Sequence, residues 1–275
     1  RFHGRRPPWE LIRSFRHFKS TDREDLQTLC FYSMDVPFDA LQRSKETESA
    51  VMRGGKRRYQ KFRAAPYYGG IATADAVGCS FFCAYCWNYG RNENPARFGT
   101  FLSADEAAHH LLEIARRRSF RLFRVSGSEP ILGEASFEHL LRVIEIVLGD
   151  DPRAGFILET NGLMLGHKEE LSQRLRLPRL SVRVAIKGVD EPSFERISGA
   201  RGEFWRYAFL ALVNLKENGV RSWPALMGTL FSGSERDRLR HILRTYSISS
   251  GLELESLESY PFVLENMKRR GVLVP

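Results

Sequence analysis

Apolar and polar positions along this chain change rhythm near residue 68. Before that point the pattern is broken and polar. From Trp9 to Lys19 the apolar residues fall at 9, 11, 12, 15 and 18, the spacing of a short helix with a basic back, and Pro7-Pro8 suits its entry. Phe38 to Ser49 reads as a second, polar helix. Val51 to Arg57 predicts a hairpin, because Gly54-Gly55 accepts the positive φ of a tight turn. After residue 68 strands alternate with helices. Strands are predicted at Ile71–Val77, Leu122–Val125, Phe156–Glu159, Leu180–Ile186, Ser222–Met227 and Leu252–Leu257. Between them lie helical stripes: Ala104, Ala107, Ala108, Leu111, Leu112 and Ala115; then Phe137, Leu140, Leu141, Ile144 and Val147; then Phe204–Glu217, stopped by Gly219, and Ser234–Tyr246. Ser103 and Glu106 form a capping box at the start of the first stripe.

This rhythm predicts an α/β fold, a partial (β/α)6 barrel with a mixed helical and hairpin N-terminal extension. The expected division is residues 1–67 for the extension, 68–260 for the barrel and 261–275 for a C-terminal segment. In βα barrels the reactive groups collect at the C-terminal ends of the strands. Three segments of interest follow strands immediately: Cys79–Cys86, Ser126–Pro130 and Thr160–Gly162. They are expected on one rim.

Composition adds charge. The 275 residues carry a net charge of +9, and only 8 of the 42 basic residues are Lys, leaving 34 Arg. Arg forks phosphate, so nucleic acid is one reading and a solvated basic face is the other. Between residues 53 and 63 stand Arg53, Lys56, Arg57, Arg58, Lys61 and Arg63 with no acid, interleaved with Tyr59 and Phe62. Cations beside stacking aromatics make a candidate nucleic-acid patch; a solvated hairpin has the same pattern. No apolar run approaches the roughly 20 residues of a membrane span. No signal peptide is recognisable, and the first residue is Arg1, so the natural start is expected upstream.

The chemistry centres on Cys79-Ser80-Phe81-Phe82-Cys83-Ala84-Tyr85-Cys86. Three of the four cysteines sit here, spaced C-x3-C-x2-C. Cys30 stands alone and reads as a small core residue. A structural zinc site needs four N or S ligands, and a disulfide would leave one cysteine of the trio odd. Cysteine runs of this kind ligate iron–sulfur clusters, and three thiolates on a cubane leave one iron open to a ligand from outside the protein. Cysteines used this way also point to a reducing cytoplasm.

With the aromatic Tyr85 before Cys86, the loop resembles that of the radical S-adenosylmethionine (SAM) superfamily. That resemblance implies one 4Fe-4S cluster on Cys79, Cys83 and Cys86, with SAM on the open iron. It further implies reductive cleavage to a 5′-deoxyadenosyl radical that abstracts hydrogen from a substrate. Gly127-Ser128-Glu129-Pro130 resembles the family's Gly-Gly-Glu-Pro turn for the SAM amino group, with Ser128 in place of the second glycine. Asn161 matches a common SAM contact after the third strand, and Tyr85 is expected near adenine. On the fourth strand Arg183 and Lys187 alternate with apolar residues, so both are expected in the lumen, where a cation suits the SAM carboxylate. Glu253 and Glu255 on the sixth strand share a face and could bind a substrate cation or the ribose, or pair with Arg183. Lys187-Gly188 followed by Phe194 to Gly199 is similar to the glycyl-radical-activase branch, although Ala185 stands where that branch carries Asp. Cys86-Trp87 and the basic hairpin are less closely similar to the wybutosine-pathway enzymes. The expected partners are therefore a ferredoxin- or flavodoxin-like reductant and either a partner protein or tRNA. A cluster protein for electron transfer or scaffolding, without SAM chemistry, is the reading from another class.

Overall fold

A computed structural model of the chain describes residues 36–272. The expected helix at Trp9–Lys19 and Cys30 lie outside the described residues. One nine-stranded sheet runs through the rest. Its strands are β1 (Met52–Arg53), β2 (Lys56–Ala65), β3 (Ile71–Ala76), β4 (Thr100–Leu102), β5 (Leu122–Ser126), β6 (Gly155–Thr160), β7 (Leu180–Ile186), β8 (Ser222–Met227) and β9 (Glu253–Glu255). The order is β1-β2-β3-β5-β6-β7-β8-β9, with β4 on β2. From β3 through β9 every neighbouring pair is parallel, which gives the six barrel strands that the alternation predicts. β1, β2 and β4 are antiparallel additions at the leading edge.

The hairpin therefore belongs to the sheet. β2 pairs with β3 from Ala65↔Ile71 to Tyr59↔Ala76, and the compact unit begins at Val36, well before the expected boundary at residue 68. A second correction applies at the other end. Helix α10 (Pro261–Arg269) buries Val263 and Met267 in the main core, so 261–272 are not a separate segment. The sixth barrel strand is also shorter than expected, three residues at Glu253–Glu255.

Helices cover the outer face. α1 (Ala40–Val51) starts at Asp39, whose carboxylate accepts from the amides of Leu41 and Gln42 at 2.9 Å. α3 (Ala104–Arg118) has the predicted capping box, with Glu106 N to Ser103 Oγ at 3.1 Å and Ser103 N to Glu106 Oε2 at 2.7 Å. All six residues of its predicted stripe are buried. The predicted stripe of α4 (Glu134–Asp150) is buried in the same cluster. Short helices α2 (Tyr89–Glu93), α5 (Leu163–His167) and α6 (Glu169–Arg174) lie along the loops. α7 (Glu191–Ser198), α8 (Arg206–Glu217) and α9 (Gly233–Thr245) complete the set. On β7, Leu180, Val182, Val184 and Ile186 face this apolar layer, as the alternation predicts.

Candidate cluster and SAM site

The cysteine loop leaves β3 and is tied down by backbone. Phe82 N donates to Ser198 O and Ala84 N to Ile197 O, both at 2.8 Å, so the loop satisfies carbonyls at the C-terminus of α7. Cys86 N closes a turn onto Cys83 O at 2.9 Å. From the far end of the chain, Arg270 Nη1 donates to Phe82 O at 3.3 Å. Cys79, Cys83 and Cys86 are free thiols, and Cys83 packs in a small apolar cluster with Phe81, Phe194 and Phe204. Phe81 N points at Cys79 Sγ (3.4 Å) and Asn92 Nδ2 at Cys86 Sγ (3.6 Å). Burial pushes all three thiols up, Cys86 to about 12.

The other two strand-end turns meet this loop, as the one-rim expectation requires. Gly127 takes φ +84°, and a Cβ there would lie 3.0 Å from Asp75 Cβ on β3. Its carbonyl accepts from Asn88 Nδ2. Ser128 Oγ donates to Asn92 Oδ1 at 2.8 Å. Glu129 N donates to Gly78 O at 3.1 Å, joining the Glu-Pro turn to the residue before Cys79. The Glu129 carboxylate is buried and accepts from Thr160 Oγ1 (2.7 Å), Asn161 N (2.7 Å) and Ile131 N (3.1 Å). Burial outweighs these donors and lifts its pKa to about 7. Asn161 in turn donates through Nδ2 to Ser80 Oγ at 2.8 Å, inside the cysteine loop. Glu129 thus fastens the third turn to the second, and Asn161 fastens the third to the first. Of the second turn's other groups, the carbonyls of Gly127 and Glu129 both accept from protein donors.

Lys187 and Tyr85 come together beside Cys83. Lys187 Nζ sits 5.6 Å from the centre of the Tyr85 ring. Burial works against the lysine charge, but Tyr85, Cys83 and Glu255 outweigh it and hold the pKa above the ordinary value. Arg183 is placed differently from a free lumenal cation. Its Nε meets Glu253 at 3.1 Å and its Nη2 meets Glu255 at 2.7 Å, with 6% of the side chain exposed. The pairing alternative raised by Glu253 and Glu255 is the one realised.

The basic stretch does not form one exposed patch. Arg57 is 1% exposed. Arg58 donates to the carbonyls of Phe98 and Gly99 at 3.1 Å, and Arg63 forks Asp75 at 2.8 and 3.1 Å. Tyr59 is buried against His139 and Phe62 packs on His110. Only Arg53, Lys56 and Lys61 remain outward, and Lys56 lies 3.6 Å from Glu106. Alternate β2 residues turn inward because a second layer, α3 and α4, covers that face of the strand. The residues not foreseen are Ser80, Asn88 and Asn92, which bind the turns together. They are common polar loop residues, and only their contacts mark them.

The donor set fits a cubane better than a single ion. Among the described residues no three His, Cys, Asp or Glu side chains converge on one ion, whereas a cubane takes each thiolate on its own iron, so its sulfurs need not share a point. Among the described residues there is no fourth cysteine. Fold and site together define an α/β partial barrel with three free thiols at the rim of its parallel strands. Residues 75–245 match the sequence profile described as the Radical SAM superfamily. The chain belongs to that superfamily, whose members use a 4Fe-4S cluster and SAM. It is 24% identical over 124 residues to a GTP 3′,8-cyclase of Microcystis aeruginosa, across 45% of this chain and 36% of that protein. Among solved structures it resembles a spore photoproduct lyase variant (TM-score 0.59, 14% identity, 78% of this chain and 64% of that one). It also resembles anSMEcpe with bound AdoMet (0.52, 16%, 68% and 53%) and Streptococcus suis SuiB bound to S-adenosylmethionine (0.51, 14%, 71% and 44%). The chain thus spans 36% of the curated relative and 44 to 64% of these structures. Among the described residues no helix is long and apolar enough to cross a membrane.

Proposed function

We propose that this chain is a radical SAM enzyme with one 4Fe-4S cluster on Cys79, Cys83 and Cys86, generating a radical that takes hydrogen from a substrate. The observation that carries the reading is the knitting of three strand-end turns around three free thiols by Glu129, Asn161, Asn88 and Asn92. When bound, the reduced cluster supplies one electron to the SAM sulfonium, giving methionine and the 5′-deoxyadenosyl radical.

The chain's own residues hold and shield. The loop amides and the C-terminus of α7 fix the thiol-bearing backbone, so loading needs little reordering of the loop. Phe81, Phe194, Phe204 and Leu163 exclude water beside Cys83. The Gly127–Glu129 turn stands next to the cluster loop, where the family pattern puts the SAM amino group. Lys187 brings a positive charge suited to a carboxylate. Arg183, occupied by Glu253 and Glu255, serves the barrel wall instead.

For the substrate, a partner protein is favoured over tRNA as far as the basic strand is concerned, because Arg57, Arg58 and Arg63 are engaged inside the protein. The test of the cluster assignment is Cys-to-Ala substitution at 79, 83 and 86 in turn. Each variant should lose reductive SAM cleavage by more than about a hundredfold, since removing one ligand destroys the site. Cleavage retained in any of the three would sink the assignment.

A further inference from the structure

Arg57 is the largest fully buried side chain among the described residues, and no carboxylate among those residues pairs with its cationic head. Its Nη2 donates to the Glu129 carbonyl at 2.9 Å, while its Nη1 is buried and makes no hydrogen bond. The nearest acids are committed elsewhere. Glu48 accepts from Ser136 N and Oγ at 2.8 and 2.7 Å, and the Glu129 carboxylate is surrounded by Thr160, Asn161 and Ile131. A buried cation without a carboxylate in contact costs several kcal/mol. The Glu129 carbonyl that it holds belongs to the same peptide chain segment whose amide binds Gly78 O, one residue before Cys79.

A second guanidinium approaches the loop from another side. Arg43 on α1 donates through Nη2 to Asn92 O at 2.8 Å, and Asn92 Nδ2 points at Cys86 Sγ. The Arg43 head also lies 5.1 Å from the centre of the Phe82 ring, in the middle of the cysteine motif. For both arginines burial opposes the charge and nearby groups favour it, Cys79 foremost for Arg43, and Tyr59, Glu48 and Glu129 ahead of Cys79 for Arg57. A cubane on three thiolates is anionic, and reduction adds one further negative charge.

We infer that buried Arg57 and half-buried Arg43 are the counter-charges of the cluster, placed to stabilise its reduced form and so raise its reduction potential. The inference rests on the reading of Cys79, Cys83 and Cys86 as cluster ligands. Net charge near a cluster and its burial are among the quantities that set its potential, and in a low-dielectric interior a fixed cation acts over a longer range than in water. Neither arginine is proposed to touch a reacting atom. They are positioning residues for charge, contributed by α1 and β2, two of the elements that precede the parallel strands.

The test is a redox titration of the reconstituted cluster, followed by electron paramagnetic resonance without SAM. Wild-type protein is measured first. If it takes up no 4Fe-4S cluster, the cluster reading itself fails, independently of the arginines. Given a loaded wild type, Arg57→Gln keeps a donor for the Glu129 carbonyl but loses the charge. It should shift the reduction equilibrium about tenfold toward the oxidised form, which is about 59 mV lower for one electron. Arg43→Gln should shift it the same way. Arg57→Lys and Arg43→Lys keep the charge and should stay near wild type. If the Gln variants fail to hold a cluster while the Lys variants hold one, the requirement for charge is again met. Gln variants that load normally and titrate at the wild-type potential would overturn the inference, as would Lys variants as defective as the Gln variants.

Discussion

At the scale of single residues, Glu129 connects the sequence to the site. Its place in a Gly-Ser-Glu-Pro turn marked it, but the use of its carboxylate did not follow from the turn. Three protein donors surround it, so it braces the rim from inside. Its pKa of about 7 means that, between about pH 4.5 and 7, the folded metal-free protein keeps a proton that the unfolded chain has released. This contribution to stability therefore falls as pH rises through that window and is constant above it, by about 3 kcal/mol in all. Glu129→Gln should remove this slope when urea unfolding is compared at about pH 5 and about pH 8. It should also cost about 1–3 kcal/mol at the lower pH, because its amide sets a donor against the N–H of Asn161 or Ile131. An unchanged slope in the variant would show that the carboxyl is not the titrating group. The cysteines were the most legible residues, since few ligand sets combine three thiols at this spacing. Arg57 was the least legible: it stands in a run of cations that look alike in sequence, and only the layer of α3 and α4 over β2 decides which of them turns inward.

At the scale of elements, the apolar periodicity carried the parallel strands and their helices nearly to the residue, with β7 and β8 bounded as expected. Strand β9 came out shorter, because its middle residue, Leu254, is 42% exposed and little apolar burial extends it. The hairpin is legible in the sequence, but its pairing into the sheet is not. Antiparallel pairing of β2 with β3 depends on contacts across a Tyr-Tyr-Gly-Gly turn, and the break in the pattern there looks like a boundary. The turn after β5 depends on one glycine. Gly127→Ala combines a left-handed backbone with a 3.0 Å approach to Asp75 Cβ. It should cost about 2 kcal/mol or more and reduce cluster content after reconstitution, read from the iron-to-protein ratio. Ser128→Gly, which only removes the bond to Asn92, should cost about 1 kcal/mol and load normally. Equal behaviour of the two variants would contradict this account of the turn.

At the scale of the whole molecule, six parallel strands bring the turns after β3, β5 and β6 to one rim, and a short last strand ends the wall. Arg183 ties β7 to β9 across β8 through Glu253 and Glu255. Arg183→Met should destabilise the protein by about 2 kcal/mol, less than a fully buried pair because each carboxylate is 36% exposed. It should also release β9 first, seen as faster hydrogen exchange at Glu253–Glu255; exchange spread evenly over the sheet would argue against a local tie. The rim was legible because every βα unit ends at the same face. The identity of the substrate was not, because lumenal specificity is built from side chains that alternate with the core and carry no motif. The central claim is that the rim holds a redox-active cluster and SAM together. The direct measurement is anaerobic: reconstitute the wild-type chain, reduce it with dithionite, add SAM, and assay 5′-deoxyadenosine and methionine alongside the cluster's resonance spectrum. The account predicts both products only when the cluster is reduced, and a changed spectrum on adding SAM. A loaded, reduced protein that forms neither product and whose spectrum ignores SAM would contradict it.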